Sequence, residues 1–90
     1  MNLSQLKAST LSMPEQYQLM VRNHDVVLPA ISLEIDQKQI KIKAQMEGQL
    51  ILMDLRNLIG WDQSNLIFEV DQKKHSVFGY RVDGMQLILG

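Results

Sequence analysis

The sequence predicts an α+β domain in which an antiparallel sheet of about five strands carries one or two helices. Apolar residues alternate with other residues over two parts of the chain, 31–46 and 66–89, as they do in strands that bury one face. Turn-forming residues divide both parts, and helix-like spacing follows a capping motif at residues 12–15,. The predicted sheet therefore comprises an N-terminal hairpin and a C-terminal three-stranded meander, either open or curled into a small half-barrel.

The N-terminal quarter of the chain is predicted to contain one helix. Residues 1–11 combine leucines with serine and threonine, whose hydroxyl groups compete for backbone hydrogen bonds, so we expect this segment to be poorly ordered,. Ser12 is a suitable N-cap, Glu15 follows it by three residues, and Pro14 falls in the first turn,. A helix is therefore predicted over residues 13–23. Its buried side would carry Met13, Tyr17, Met20, Val21 and His24,.

The N-terminal hairpin is predicted from alternating isoleucine and leucine residues on both sides of a polar turn at residues 36–39,. Pairing Ile35 with Ile40 aligns the apolar positions of the two strands,. The same register places Glu34 across from Lys41 on the opposite face, and this opposite-charge pair supports it,.

Residues 49–59 are compatible with two structures. The positions of Ile51, Leu55 and Leu58 suit one face of a helix, whereas residues 49–53 alone would pass as a buried strand,. Gly60 follows the run, as glycine often follows a helix, and this favours the helix,.

The register of the C-terminal meander is predicted from its last turn. Asp83 and Gly84 favour a two-residue turn that pairs Val82 with Met85,. A longer polar loop before it would pair Val70 with Ser76,. Both hairpins then direct the same nine apolar residues to one face: Leu66, Phe68, Val70, Phe78, Tyr80, Val82, Met85, Leu87 and Leu89,.

The second face of the meander, together with the last strand, suggests a contact surface. This face also keeps apolar residues, which would be exposed unless another element or a partner covers them. The last strand has no charged residue, and an unprotected edge strand invites pairing with another chain,. We therefore expect a small non-catalytic protein–protein interaction module that forms a homodimer. The candidate interface residues are Ile67, Val77, Ile88, Leu87 and Trp61.

Composition excludes several classes of protein. Ninety residues with a hydrophobic fraction of 46% and a formal net charge of −1 are typical of one globular domain, spanning residues 1–90. The chain has no cysteine, so disulfides and thiolate chemistry are excluded,. No stretch resembles a signal peptide or is long enough to cross a bilayer, so a cytoplasmic protein without a membrane segment is expected,.

No catalytic, metal or cofactor motif is found. His24 and His75 are the only side chains that titrate near neutrality without perturbation, and no third group accompanies them at a meaningful spacing,. We therefore expect no enzymatic activity, metal or cofactor. The alternative to protein binding is a nucleic-acid-binding barrel that uses a lysine-bearing face, although most aromatic residues are predicted to lie in the core. The lysines concerned are Lys38, Lys41, Lys43, Lys73 and Lys74.

Overall fold

Seven strands form one mixed sheet in the computed structural model of the chain, which describes residues 1–90. The strand order is β5-β4-β3-β2-β1-β7-β6. The pairs β3–β4 and β1–β7 are parallel and the other four pairs are antiparallel. The elements are α1 Leu3–Ser9, β1 Gln18–Asn23, β2 Val26–Asp36, β3 Gln39–Ala44, α2 Leu52–Arg56, β4 Leu66–Val70, β5 Lys73–Ser76, β6 Tyr80–Asp83 and β7 Gln86–Leu89.

The predicted α+β class is confirmed, and the sheet is curled into a half-barrel. The prediction of about five antiparallel strands is wrong, because the sheet has seven strands and two parallel pairs,. The N-terminal hairpin has the predicted register, with Ile35 opposite Ile40 and Glu34 opposite Lys41. The alternating pattern was sufficient there because a short turn fixes the pairing of adjacent strands.

The strand β2 is long and belongs to both halves of the sheet. It pairs with β1 through its first residues and with β3 through its last, and the register shifts at Ile31, between Ala30 and Ser32. At this bulge the carbonyl of Ala30 accepts a hydrogen bond from Leu50 N at 3.2 Å. A Cβ at Gly48 would lie 2.3 Å from the same carbonyl oxygen, so this close approach requires glycine,.

The predicted helix over residues 13–23 is wrong, and β1 occupies most of that range. Leu19 and Val21 belong to the hydrophobic core, whereas Met20, although only 7% exposed, does not, and Arg22 is exposed. Membership of the core therefore alternates as in a strand. The helix instead lies in the segment that we expected to be poorly ordered. Asn2 Oδ1 accepts from Gln5 N at 2.8 Å and Asn2 N donates to Gln5 Oε1 at 2.9 Å, which closes a capping box at the start of α1,.

Residues 49–59 contain the five-residue helix α2, preceded by extended backbone at Ile51. Asp54 Oδ2 accepts from Ile51 N at 2.8 Å and thereby caps the helix,. Ile51 itself forms an antiparallel bridge with Gln18 at the start of β1. Each of the two predicted alternatives therefore describes part of this segment.

The predicted three-stranded meander is wrong, because its two hairpins lie at opposite ends of the sheet. Asp71 and Gln72 both have positive φ, +52° and +67°, and form a two-residue turn that pairs Val70 with Lys73 rather than with Ser76,. β5 is therefore short and pairs with β4. In the last hairpin Gly84 has φ +58° and the turn shifts by one residue, so that the chain ends as β6 and β7 beside β1.

The shift in the last turn pairs Val82 with Leu87 instead of Met85. The face of the strands is retained, because the pairing moves by two residues along β7. Leu66, Phe68, Val70, Leu87 and Leu89 are buried as predicted.

Three other members of the predicted apolar face lie at the surface. Phe78 is 84% exposed, Met85 61% and Val82 42%. Val77, which we assigned to the opposite face, is fully buried, and its backbone nitrogen donates to Leu66 O at 3.0 Å. The chain therefore leaves the β4–β5 hairpin with Val77 in the core and Phe78 outside.

The exchange of Val77 and Phe78 gives a direct test of the fold. Val77→Ala should lower the free energy of unfolding by about 2 kcal/mol, because it removes two buried carbon atoms and leaves a cavity. Phe78→Ala should change it by no more than about 0.5 kcal/mol, since the exposed ring makes few buried contacts that the substitution could remove. Urea denaturation measures both values, and a larger loss in Phe78→Ala would contradict this placement.

Candidate interaction surfaces

A cluster of ion pairs covers the outer face of β2, β3, β4 and β5. Lys41 Nζ lies 3.3 Å from Glu34, 3.6 Å from Glu69 and 3.8 Å from Asp36. Lys43 Nζ lies 3.2 Å from the other oxygen of Glu34. The register causes this arrangement, because Glu34 and Lys41 are directly opposite and Lys43 is directly opposite Glu69,.

The cluster extends to the edge of the sheet through Lys74, which donates a hydrogen bond to Asp36. Three ammonium groups thus face three carboxylates on this surface. We call these six residues the ion-pair cluster: Glu34, Asp36, Lys41, Lys43, Glu69 and Lys74.

The charges of the ion-pair cluster stabilise one another. Hydrogen bonds from Lys43 and Lys41 hold the pKa of Glu34 below its ordinary value, and a hydrogen bond from Lys74 does the same for the pKa of Asp36,. Partial burial works to lower the pKa of Lys41, but the hydrogen bond to Glu34 and the neighbouring carboxylates outweigh it, so this pKa is raised,.

The five lysines of the predicted nucleic-acid face differ in their surroundings. Lys41, Lys43 and Lys74 belong to the ion-pair cluster, where carboxylates balance their charge. Lys38 and Lys73 are exposed beside the turns of the two hairpins and have no carboxylate within 4.0 Å. The structure therefore presents two separate free lysines instead of one basic patch.

Four of the five predicted interface residues are buried within the chain. Leu87 and Val77 lie in the hydrophobic core. Ile67 is 5% exposed and Ile88 3%, on the outer face, where their neighbours in register are Lys41 and Arg81. The expected exposed patch is thus covered inside the chain. Only Trp61, in the loop before β4, retains exposed surface, at 36%.

The last strand is not an edge, contrary to the sequence prediction. β7 pairs with β1 on one side and with β6 on the other. The edges of the sheet are β5 and β6. β5 carries Lys73 and Lys74, and charged side chains, lysine above all, discourage pairing with another chain at an edge,.

The edge strand β6 presents free backbone groups to solvent. Gly79 and Gly90 exchange two backbone hydrogen bonds, of 3.3 and 3.1 Å. Because hydrogen-bonded and non-hydrogen-bonded pairs alternate along an antiparallel ladder, Arg81 and Asp83 direct their backbone groups to β7,. Tyr80 and Val82 consequently direct their N–H and C=O groups away from the sheet. We call this edge and its exposed neighbours the β6 surface: Phe78, Tyr80, Arg81, Val82, Asp83 and Met85.

An open cleft of about 390 Å³ adjoins the β6 surface. Phe78, Arg81 and Ile88 contribute to its lining, together with Arg22 of β1. Arg22 Nε donates to His24 O at 3.1 Å, which fixes its side chain, and neither arginine forms an ion pair. An exposed aromatic ring and two free arginines therefore lie close together at this end of the sheet, the composition that protein interfaces favour.

The two histidines are far apart in the strand order. His24 lies in the β1–β2 turn with φ +57°. His75 lies on β5, and its ring stacks on Phe68 with centroids 5.0 Å apart. Three strands separate β1 from β5. No group of three or more histidine, aspartate or glutamate side chains is arranged to hold a metal ion. The absence of enzymatic activity stays a prediction.

Arg56, at the end of α2, is the only side chain with buried polar atoms that lack a hydrogen-bond partner. Its Nη1 donates to Met13 O at 3.3 Å and lies 3.8 Å from the carboxylate of Glu15. Nε and Nη2 have no protein acceptor. These contacts hold the segment before β1 against α2, so we assign Arg56 a structural role.

Comparison of the chain with protein-family models, with curated proteins and with solved structures finds no match. Neither α1 nor α2 has the length and apolar character of a membrane-crossing helix.

The ion-pair cluster predicts a loss of stability in acid. The pKa values of Glu34 and Asp36 are lowered from 4.5 and 3.8, so the folded chain binds fewer protons than the unfolded chain near these values. Their stabilisation is complete above the ordinary values and is lost as the pH falls through the lowered ones. We expect the urea midpoint of the wild type to decrease as the pH falls from the ordinary pKa values through the lowered ones. The decrease should be smaller in a Glu34→Gln, Asp36→Asn double variant.

A matched control for this measurement is the pair of exposed acids outside the cluster. Asp25→Asn with Glu47→Gln removes two carboxylates that form no ion pair. This variant should keep the wild-type pH dependence. An equal acid response in the cluster variant and in the wild type would refute the assignment.

Proposed function

We propose that the protein is a non-catalytic protein–protein interaction module that self-associates, with the β6 surface as its contact surface. The observation that carries the proposal is the open edge of the sheet at Tyr80 and Val82, whose outward N–H and C=O groups have no partner in the chain. The two charged residues of this edge, Arg81 and Asp83, are of opposite sign, whereas those of β5 are both lysines. Addition of a strand to such an edge is a common mode of protein recognition, because the backbone groups supply ready hydrogen bonds.

The side chains around this edge favour the same interpretation. Phe78 and Met85 are 84% and 61% exposed, one just before β6 and the other just after it. Complete burial of a phenylalanine side chain contributes about 1.5–3 kcal/mol. A partner strand that covers these residues would therefore gain apolar burial in addition to backbone hydrogen bonds. The lysine-bearing edge at β5 offers no comparable apolar surface.

Nucleic-acid binding through Lys38, Lys41, Lys43, Lys73 and Lys74 is the alternative proposal. Lysines that neutralise phosphates release the counterions condensed on the nucleic acid, and this release favours binding. Three of the five lysines already have carboxylates as partners, and a phosphate would have to displace them. The net charge of −1 adds no general attraction,. We therefore place this function second.

The edge-strand proposal predicts that a proline at Val82 weakens binding. Val82→Pro removes only an outward N–H, so the ladder to β7 stays intact,. Peptides selected from a displayed random library on the wild-type protein should lose about tenfold in affinity for Val82→Pro, because a carbonyl of the peptide is left unpaired. Val82→Ala keeps the N–H and is the matched control. Selected peptides that bind Val82→Pro as tightly as the wild type would show that the edge is not the contact surface.

The alternative function is tested by titration with a fluorescent single-stranded oligonucleotide. We expect no binding at about 0.15 M salt, where exposed charges are well screened. Binding that weakens steeply with salt, and that is lost when Lys38 and Lys73 are changed to glutamine, would favour the nucleic-acid function instead. Asp25→Asn, which leaves all lysines in place, is the control.

A further inference from the structure

We infer that the partner of the β6 edge is a second copy of this chain, paired antiparallel across a two-fold axis at Val82. This inference rests on the proposed function, in which the module self-associates, and adds the strand direction and the register. It follows from the direction of the backbone groups of β6 and from the order of its charged residues.

The backbone allows only a few registers. Tyr80 and Val82 direct their hydrogen-bonding groups outward, and Arg81 and Asp83 direct theirs to β7. In an antiparallel pair, residues that exchange hydrogen bonds lie directly opposite each other. A symmetric pairing must therefore place outward residues opposite outward residues. The two-fold axis then passes at Tyr80, at Arg81, at Val82 or at Asp83.

Charge distinguishes these four registers. An axis at Tyr80 places Arg81 opposite Gly79 and Asp83 opposite Val77, so it forms no ion pair. An axis at Arg81 places two arginines opposite each other, and an axis at Asp83 does the same for two aspartates. Like charges directly opposite each other destabilise a pair of strands. An axis at Val82 places Arg81 of each copy opposite Asp83 of the other, which forms two equivalent ion pairs. The strand is therefore complementary to itself in this register alone, as a two-fold interface requires.

The surroundings of β6 are compatible with this register. Arg81 and Asp83 are both exposed, and neither forms an ion pair within the chain. Val82 of one copy would meet Val82 of the other through two backbone hydrogen bonds. Tyr80 would lie opposite Gly84, where nothing lies within 4 Å of the position of a Cβ. The paired copies would form one continuous sheet of fourteen strands, twice the seven of each chain.

The other edge of the sheet is not complementary to itself. Val70 and Lys73 form the hydrogen-bonded pair that closes the Asp71–Gln72 turn, so the backbone of Lys73 is directed to β4. Because the direction alternates along the strand, the backbone of Lys74 is directed outward. An axis at Lys74 would place two ammonium groups opposite each other, and an axis at His75 would place Lys74 opposite Ser76. Because β5 has no acidic residue, no register pairs opposite charges. Lys74 is also engaged by Asp36 within the chain. The proposed dimer therefore uses β6 and leaves β5 free.

The experiment compares charge variants of the full chain by sedimentation velocity across a dilution series. The wild type should form a concentration-dependent dimer. Arg81→Asp and Asp83→Arg each convert both ion pairs into repulsive pairs, so each should weaken the dimer by about tenfold or more. An equimolar mixture of these two variants should form a heterodimer, because every opposed pair is again of opposite sign.

Controls separate the register from other effects. Lys73→Asp and Asp71→Arg make the same changes in net charge on the β4–β5 hairpin, outside the proposed strand pairing, and should leave the dimer unchanged. Urea unfolding shows whether the variants fold, and rescue in the mixture cannot arise from two unfolded chains.

Two results would overturn the inference, and they differ in what they mean for the proposed function. If Val82→Pro dissociates the dimer but the charge variants do not, the edge is the contact surface and the register is wrong. If the wild type is a monomer at every concentration, a second copy is not the partner, and the peptide selection with Val82→Pro still decides whether β6 binds other chains. A charge-rescued heterodimer supports the inference in full.

Discussion

The connection between β5 and β6 is the constraint on which the shape of this protein depends. These strands are the two ends of the strand order, yet only residues 77–79 join them. Four consecutive Cα–Cα steps reach at most about 13–14 Å, whereas six interstrand spacings in a flat sheet would amount to about 29 Å. The sheet must therefore curl until its edges approach each other. The curl encloses the apolar face around α1 and α2 and leaves the polar face outside.

Curling also determines which surfaces remain for function. On the outer face the register of β2, β3 and β4 brings carboxylates and lysines together, so this surface is balanced in charge. Apolar residues that also point outward, such as Ile67 and Ile88, are buried beneath longer neighbours,. What remains is the end of the sheet where the chain turns outward at Phe78. The edge of β6 and the nearby arginines lie at the same end.

The sequence predicted one local hairpin correctly, misplaced the turns of two others, and did not identify the pairs that join distant segments. The hairpin of Ile35 and Ile40 was found because a short turn, an apolar pattern and a charge pair agree,. Asp71 and Gln72 were placed in a longer loop, since their positive φ angles are not evident from residue type,. The parallel pairs β3–β4 and β1–β7 join distant segments, and no local pattern specifies which strands meet. The expected position of the last strand was wrong for this reason: β7 was placed at an edge, and β1 covers it.

The pairing of β1 with β7 has a consequence for the order in which the protein folds. Gln18 lies opposite Gln86, so this contact spans most of the sequence. During synthesis, β1 can pair with β2 early, but its other edge stays open until β7 has left the ribosome. Contacts between such distant segments are slow to form, and an open edge can pair with the wrong chain in the meantime. The nascent chain therefore keeps an open edge at β1, and the associated tendency to aggregate, until β7 has been synthesised and has paired with it.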